Sequence, residues 1–254
     1  MTHKIKTFLS PHMKELKKRL LRIAVIFLGI FGLSFFWGES MFQWLAAPLF
    51  ETLTHHNLPP ELVYTHLAEA FSTYVQVSFF AALLLIFPYM EWEIWQFMAP
   101  GLLKQERANT KPLLMAAPLL FILGASLCYY YVIPNVWGFF IQFSSPDSIR
   151  LLPQMESYLS LTMKFIFSFG LCFQLPLIML LLAHIGIGNS AFFAKQRRFV
   201  IVGIFVVAAI LTPPDVLSQV MLALPLLGLY ELSILLMKIK EKKDARPKMD
   251  QRKS

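Results

Sequence analysis

Two carboxylates set among cations are the first candidates for chemistry in this chain. Glu15 lies in His12-Met13-Lys14-Glu15-Leu16-Lys17-Lys18-Arg19-Leu20, and Glu106 in Lys104-Gln105-Glu106-Arg107. Two carboxylates on one rim suit a cationic partner, and guanidinium best, because its planar fork of N–H donors matches carboxylate geometry. The plainer reading is that each pairs with its own lysine and arginine neighbours, since exposed ion pairs are common and weak. Gln174, in Phe173-Gln174-Leu175-Pro176, is an amide inside a long apolar run. It needs a partner there, from another helix of this chain or from a helix of another protein. Asp215 follows Thr212-Pro213-Pro214 and is the natural N-cap of the next helix. Lys164, nearer the start of the run that holds Gln174, reads as a lysine snorkelling to the interface.

Other chemistry is poorly supplied. There is no glycine-rich phosphate loop, no His-Glu-x-x-His and no Gly-x-Ser-x-Gly, so neither an enzyme nor a cofactor is expected. His55 and His56 adjoin without a carboxylate or cysteine framework, and read as surface residues rather than metal ligands. Cys128 and Cys172 both lie in apolar runs and read as small core residues, not a disulfide.

The elements that must position these groups are membrane spans. The chain of 254 residues is 57% hydrophobic and only 15% charged, against about 25% charged in soluble domains. Six apolar segments are expected to be helical spans: about 20–36, 71–89, 113–133, 158–187, 199–211 and 216–237. The fourth is long enough to need a tilt or a kink, and Pro176 offers the kink. The fifth, of thirteen residues, covers roughly 20 Å against a hydrocarbon core of about 30 Å. The sixth reads as similarly short, because Glu231 interrupts its apolar run. Undersized helices of this kind thin or wet a bilayer.

The net charge of +8 follows topology rather than nucleic acid. The N-terminal segment through Arg22 carries seven basic residues, the loop 37–70 none, the second loop three, the third one, the fourth three, the Pro213–Pro214 hinge none and the tail from Lys238 eight. High and low counts alternate, as the positive-inside rule requires for six spans with both termini cytoplasmic. Residues 1–238 are expected to form one transmembrane domain, opening with an amphipathic segment over 1–19. The basic tail 239–254 is expected to lack regular structure.

Several unusual strings occur in order: His12-x-x-Glu15-Leu16-x-x-Arg19-Leu20, Ala47-Pro48-Leu49, Glu69-Ala70-Phe71, Phe97-x-Ala99-Pro100-Gly101-Leu102 with Glu106-Arg107, and Phe169-Gly170-Leu171-x-Phe173-Gln174-Leu175-Pro176. Last comes Phe205 to Asp215, with Ser218-Gln219 and Leu229-Tyr230-Glu231. In these the chain resembles the TatC family, the multispanning core subunit of the twin-arginine protein translocase, from about Pro11 to Lys238. The resemblance implies an all-α integral membrane protein of six helices in a concave cup, the last two short, in a bacterial cytoplasmic membrane. It implies recognition of twin-arginine signal peptides on folded cargo, with Glu15 and Glu106 binding and Phe97, Pro100 and Arg19 shaping the site. It implies export driven by the protonmotive force, self-association, and small single-span partners of the TatA and TatB type. Gln174, Pro48, Thr212, Asp215 and Gln219 would be the positions where partner helices dock. Position 174 is commonly Glu in that family; Gln here can hydrogen-bond but cannot titrate. The rival classes are a membrane scaffold and a small-molecule secondary transporter. The latter would call for charges at the midplane and broken helices in related halves.

Overall fold

The computed structural model describes residues 2–98, 104–142, 152–184, 186, 188–212 and 216–250, with side chains from Met13 to Lys242 apart from 95, 98, 104–114 and 184. The described chain is almost entirely helical. In order come α1 (Thr2–Phe36), α2 (Gly38–His55), α3 (Glu69–Met98), α4 (Lys104–Leu127), a π-helical turn (Cys128–Val132), α5 (Ile133–Gln142), α6 (Met155–Cys172), α7 (Leu175–His184), α8 (Ser190–Lys195), α9 (Arg197–Leu211) and α10 (Val216–Asp250). The β structure among the described residues is one parallel bridge, Val63 with Gln154.

Among the described residues five stretches are long and apolar enough to cross a membrane: Met13–Phe36, Glu69–Ile94, Met115–Gln142, Met155–Ala183 and Val216–Lys242. α9, the expected fifth span, is indeed short at 15 residues, roughly 22 Å of helix. The expectation of a short sixth helix fails. α10 runs 35 residues without a break, through Glu231 and on into the basic tail that was expected to be irregular. A single charge interrupts hydropathy, not the backbone hydrogen-bond ladder, and Leu, Glu, Lys and Met are all good helix formers. The amphipathic N-terminal segment likewise joins its span in one helix, α1.

The chain forms two compact units, Met1–Pro118 with Ile141–Met163, and Leu119–Phe140 with Lys164–Ser254. In the first unit α1 and α3 run antiparallel. Phe27 and Phe31 meet Phe79 edge to face at 5.1 and 6.2 Å, and Phe35 meets Phe71. The helix α2 lies in what is expected to be the loop after the first span, and takes Pro48 into its interior. It forms because Leu45, Leu49 and Leu53 recur every fourth residue and bury on one face. The Tyr158 hydroxyl on α6 donates to the Leu45 carbonyl at 2.8 Å, tying α2 down.

In the second unit the long fourth segment breaks where Pro176 suggested. α6 ends at Cys172 and α7 begins at Leu175, because Pro176 has no N–H for the Cys172 carbonyl and its fixed φ suits a first helical turn. Two glycines bring neighbouring helices close. A Cβ on Gly124 of α4 would lie 2.6 Å from the Phe173 ring and 2.7 Å from the Phe169 carbonyl, and one on Gly170 of α6 would collide with the Phe121 ring. α10 packs along α7, α8 and α9, burying Leu222, Leu226, Ile234 and Met237.

Candidate functional site: a carboxylate–guanidinium cluster

The cluster forms where the basic start of α1 passes the end of α3. Glu15 and Arg19 sit one turn apart on α1. Arg19 donates from Nε at 3.1 Å and from Nη2 at 2.7 Å, both to Oε1 of Glu15. Its Nη1 reaches α3, donating to Oε2 of Glu93 at 2.6 Å and to Oε1 of Gln96 at 3.1 Å. Arg22, one turn further along α1, donates from Nη1 to Oε1 of Glu93 at 2.7 Å. The Tyr89 hydroxyl donates to that same oxygen at 2.6 Å. Tyr89, Glu93 and Gln96 share a face of α3 at i, i+4 and i+7 spacing.

Depth separates the two carboxylates. The Glu93 side chain is 3% exposed and that of Glu15 is 43% exposed, with Arg19 between them at 16%. A buried carboxylate demands compensation by charge and hydrogen bonds, and Glu93 receives it from two guanidinium groups and a phenol. Glu15 is the carboxylate that a ligand can reach. The bonds it accepts from Arg19 both fall on Oε1, and no described contact uses Oε2.

The sequence reading named Glu15, Arg19, Phe97, Pro100 and Glu106. The structure brings Glu15 and Arg19 into direct contact and places Phe97 in the last turn of α3, half-buried and next to Gln96. Glu106 lies in the first turn of α4, with its side chain outside the described residues, as is Pro100 altogether. Glu93, Arg22, Tyr89 and Gln96 were missed. The second apolar segment was drawn to end at Tyr89, which left Glu91 and Glu93 in a loop. Two more turns of helix place Tyr89, Glu93 and Gln96 on one stripe, and that stripe meets Arg19 and Arg22.

A second carboxylate is fully engaged at the other end of α3. Glu69, 3% exposed, accepts from the Thr65 amide at 2.7 Å, the Thr65 hydroxyl at 3.1 Å and the His66 amide at 3.3 Å on Oε2. Its Oε1 accepts from the Glu156 amide at 3.2 Å, at the start of α6, where free N–H groups attract negative charge. With the Val63–Gln154 bridge beside it, this carboxylate ties the segment before α3 to the segment before α6.

The positions expected to dock partner helices have structural uses of their own. Pro48 is buried in α2, and its carbonyl accepts from the Thr52 hydroxyl at 2.6 Å. Thr212 closes α9, its hydroxyl on the Ala208 carbonyl at 2.9 Å. The Gln219 side chain donates to the Phe205 carbonyl at 3.0 Å, joining α10 to α9. Gln174 is 6% exposed and sits at the α6–α7 break, its carbonyl accepting from the Ile178 amide at 3.0 Å. Asp215 lies outside the described residues. Lys164 is exposed, consistent with snorkelling. Glu231 pairs with Arg197 through two bonds, 2.7 and 2.8 Å.

Apolar helices of spanning length, with a carboxylate–guanidinium cluster at one end of the first two spans, define a polytopic helical membrane protein. Comparison with known proteins narrows the class. A family model described as Sec-independent protein translocase protein (TatC) matches residues 11–225. The Sec-independent protein translocase protein TatC of Magnetococcus marinus is 44% identical over 227 residues, covering 89% of this chain and 82% of that protein. That of Escherichia coli K12 is 34% identical over 226 residues, covering 89% and 86%. A solved structure of the twin-arginine translocase receptor TatC aligns with a TM-score of 0.77 at 31% identity, over 90% of this chain and 98% of that one. The chain belongs to the TatC family, and is thus a multi-pass membrane component of a Sec-independent protein translocase.

Proposed function

We propose that this chain is the receptor subunit of a twin-arginine translocase, and that Glu15 is the group that first meets the cargo's guanidinium. One observation carries the reading. Glu15 is a half-exposed carboxylate already engaged by a guanidinium, that of Arg19. The site therefore realises within the chain the pairing that an incoming arginine would make, and exchange of one guanidinium for another conserves its charge-assisted hydrogen bonds. Glu106, on the loop side of the same rim, takes the second arginine, with Phe97 and Pro100 shaping the approach.

Membership of the family supports a reading of the rest of the cycle. The protein sits in a bacterial cytoplasmic membrane with both termini in the cytoplasm, a topology favoured by the alternation of basic counts. TatA- and TatB-type single-span proteins dock against the later helices, around Gln174, Thr212, Asp215 and Gln219, with Pro48 supporting assembly of copies of the chain. Thr212 closes α9 on itself and Gln219 joins α10 to α9, and so together they would present a set surface to such a partner. The 15-residue α9 supplies a local defect in the bilayer, and the protonmotive force drives passage. Gln174 contributes hydrogen bonds there and no titrating charge.

Peptide binding tests the reading. The protein in nanodiscs is titrated with a synthetic twin-arginine signal peptide and with its twin-lysine counterpart, alongside Glu15→Ala and Glu106→Ala. A preference for arginine that both variants abolish is the expected result. Equal, salt-sensitive binding of both peptides, unchanged by the substitutions, would reduce the site to generic charge attraction.

A further inference from the structure

We infer that Glu93 is the counter-charge that keeps Glu15 open to a foreign guanidinium, through its position between Arg19 and Arg22 at the buried end of the α1–α3 cluster. The inference rests on the receptor reading above and deepens it. Glu93 cannot touch cargo, being 3% exposed; it is a positioning residue.

The described cluster holds two cations, Arg19 and Arg22, and two carboxylates, Glu15 and Glu93. The charges balance. Remove Glu93, and two arginines face one carboxylate at the place a cationic ligand must approach. Repulsion would then oppose the ligand, and interactions between charges this close are screened little by salt. Geometry adds to the effect. Arg19 has five N–H donors in a rigid fork, and Glu93 with Gln96 holds the Nη1 edge of that fork toward α3. Only Nε and Nη2 are left for Glu15, and both fall on Oε1. Without that anchor Arg19 is free to turn onto Glu15 and engage both oxygens, the stronger bidentate arrangement. Arg22, 48% exposed, would lose its hold on α3 and add its charge to the rim. Glu93 thus does two things at once: it neutralises the second arginine, and it limits the first to half of Glu15.

A charge ladder tests this, with the full-length protein in nanodiscs, the synthetic twin-arginine peptide as probe and the twin-lysine peptide as control. Glu93→Gln keeps the size and one acceptor oxygen while removing the charge, and should weaken twin-arginine binding by about tenfold or more. Arg22→Gln, at an exposed position, removes one cation while Glu93 stays, and should tighten binding by about threefold. The double variant Glu93→Gln with Arg22→Gln restores the balance and should bind within about twofold of the unmodified protein. Recovery in the double variant is the readout that a merely structural Glu93 would not give. Unchanged binding in Glu93→Gln overturns the inference. So does loss in Glu93→Gln without recovery in the double variant, and so does weaker binding in Arg22→Gln, a variant that can be read even if Glu93→Gln does not fold. An unmodified protein that binds both peptides equally fails at the earlier step and removes the receptor reading, with the inference that depends on it.

Discussion

Adding one methyl group to Gly124 or to Gly170 should destabilise the second unit, whereas the same change at Gly203 or Gly228 should not. On Gly124 the new Cβ would sit 2.7 Å from the Phe169 carbonyl oxygen and 2.6 and 2.8 Å from atoms of the Phe173 ring, where ordinary contact begins at 3.4 Å. The backbone must therefore retreat by roughly 0.7 Å, and the Phe173 ring, 4% exposed, has little room to swing away. On Gly170 the obstacle is the Phe121 ring, 2% exposed. Overpacking of this kind costs about 1–3 kcal/mol, partly offset by the roughly 0.5–1 kcal/mol that alanine gains over glycine inside a helix. Contacts this far inside ordinary distance belong in the upper half of the overpacking range, about 2–3 kcal/mol, so the net loss is about 1–2.5 kcal/mol at each site, or a melting temperature roughly 2–10 °C lower. At Gly203 and Gly228 nothing lies within 4 Å of an added Cβ, so only the helix term of about 0.5–1 kcal/mol remains, with the opposite sign. The chain carries its own reporters. Cys128, fully buried, and Cys172 are both free thiols on the helices concerned, so a thiol-reactive dye in detergent reads the unfolding of this packing directly. If Gly124→Ala and Gly170→Ala melt at or above the unmodified protein, the close approach of these helices is refuted, whatever the exposed pair does.

The junction at the other end of α3 and the link between α9 and α10 each invite a test. Glu69 uses both oxygens, and Gln offers only one acceptor. Glu69→Gln should therefore release one of the two segments, seen as faster amide exchange or proteolysis at residues 63–68 or 152–156, with Glu69→Ala releasing both and the peptide binding proposed for the opposite end unchanged. The Arg197–Glu231 pair is bidentate but about half exposed on each side, so Arg197→Ala or Glu231→Ala should cost no more than about 0.5–1 kcal/mol in the same melting assay; a loss several times larger would mean the pair anchors the loop before α9.

Periodicity and hydropathy carry most of the helical architecture, because a span must satisfy its backbone internally and its length is set by the bilayer. The break before Pro176 and the brevity of α9 were therefore readable from residue types alone. Glu231 misled for a related reason: it marks the end of an apolar run, while α10 continues through it as far as Asp250. α2 was hidden because its apolar face is one narrow stripe with a proline in it, and the face becomes visible only once α3 is there to cover it. In the candidate site, Glu15 and Arg19 were legible because i, i+4 neighbours must meet on a helix. Glu93 and Arg22 were not, because they are 71 residues apart and meet only when α1 and α3 are laid antiparallel. Glu69 stood out as part of a string, but its task, gathering amides from two distant segments, belongs to tertiary structure.

The unbroken α10 has a mechanical consequence. From Val216 to Glu241 it is one rod of roughly 38 Å. Near its start Gln219 is tied to the Phe205 carbonyl of α9. Past its middle the Tyr230 hydroxyl donates to the Phe193 carbonyl, and toward its far end Glu241 accepts from the amide and hydroxyl of Ser190 at the head of α8. A rod fastened at three heights behaves as a lever. A tilt of about 10° at the end nearest Gln219 would carry the Glu241 end through roughly 6 Å, taking α8 with it. A helix pressing on the α9–α10 corner would thus be felt as a displaced α8 at the far end of the rod, with no change of fold.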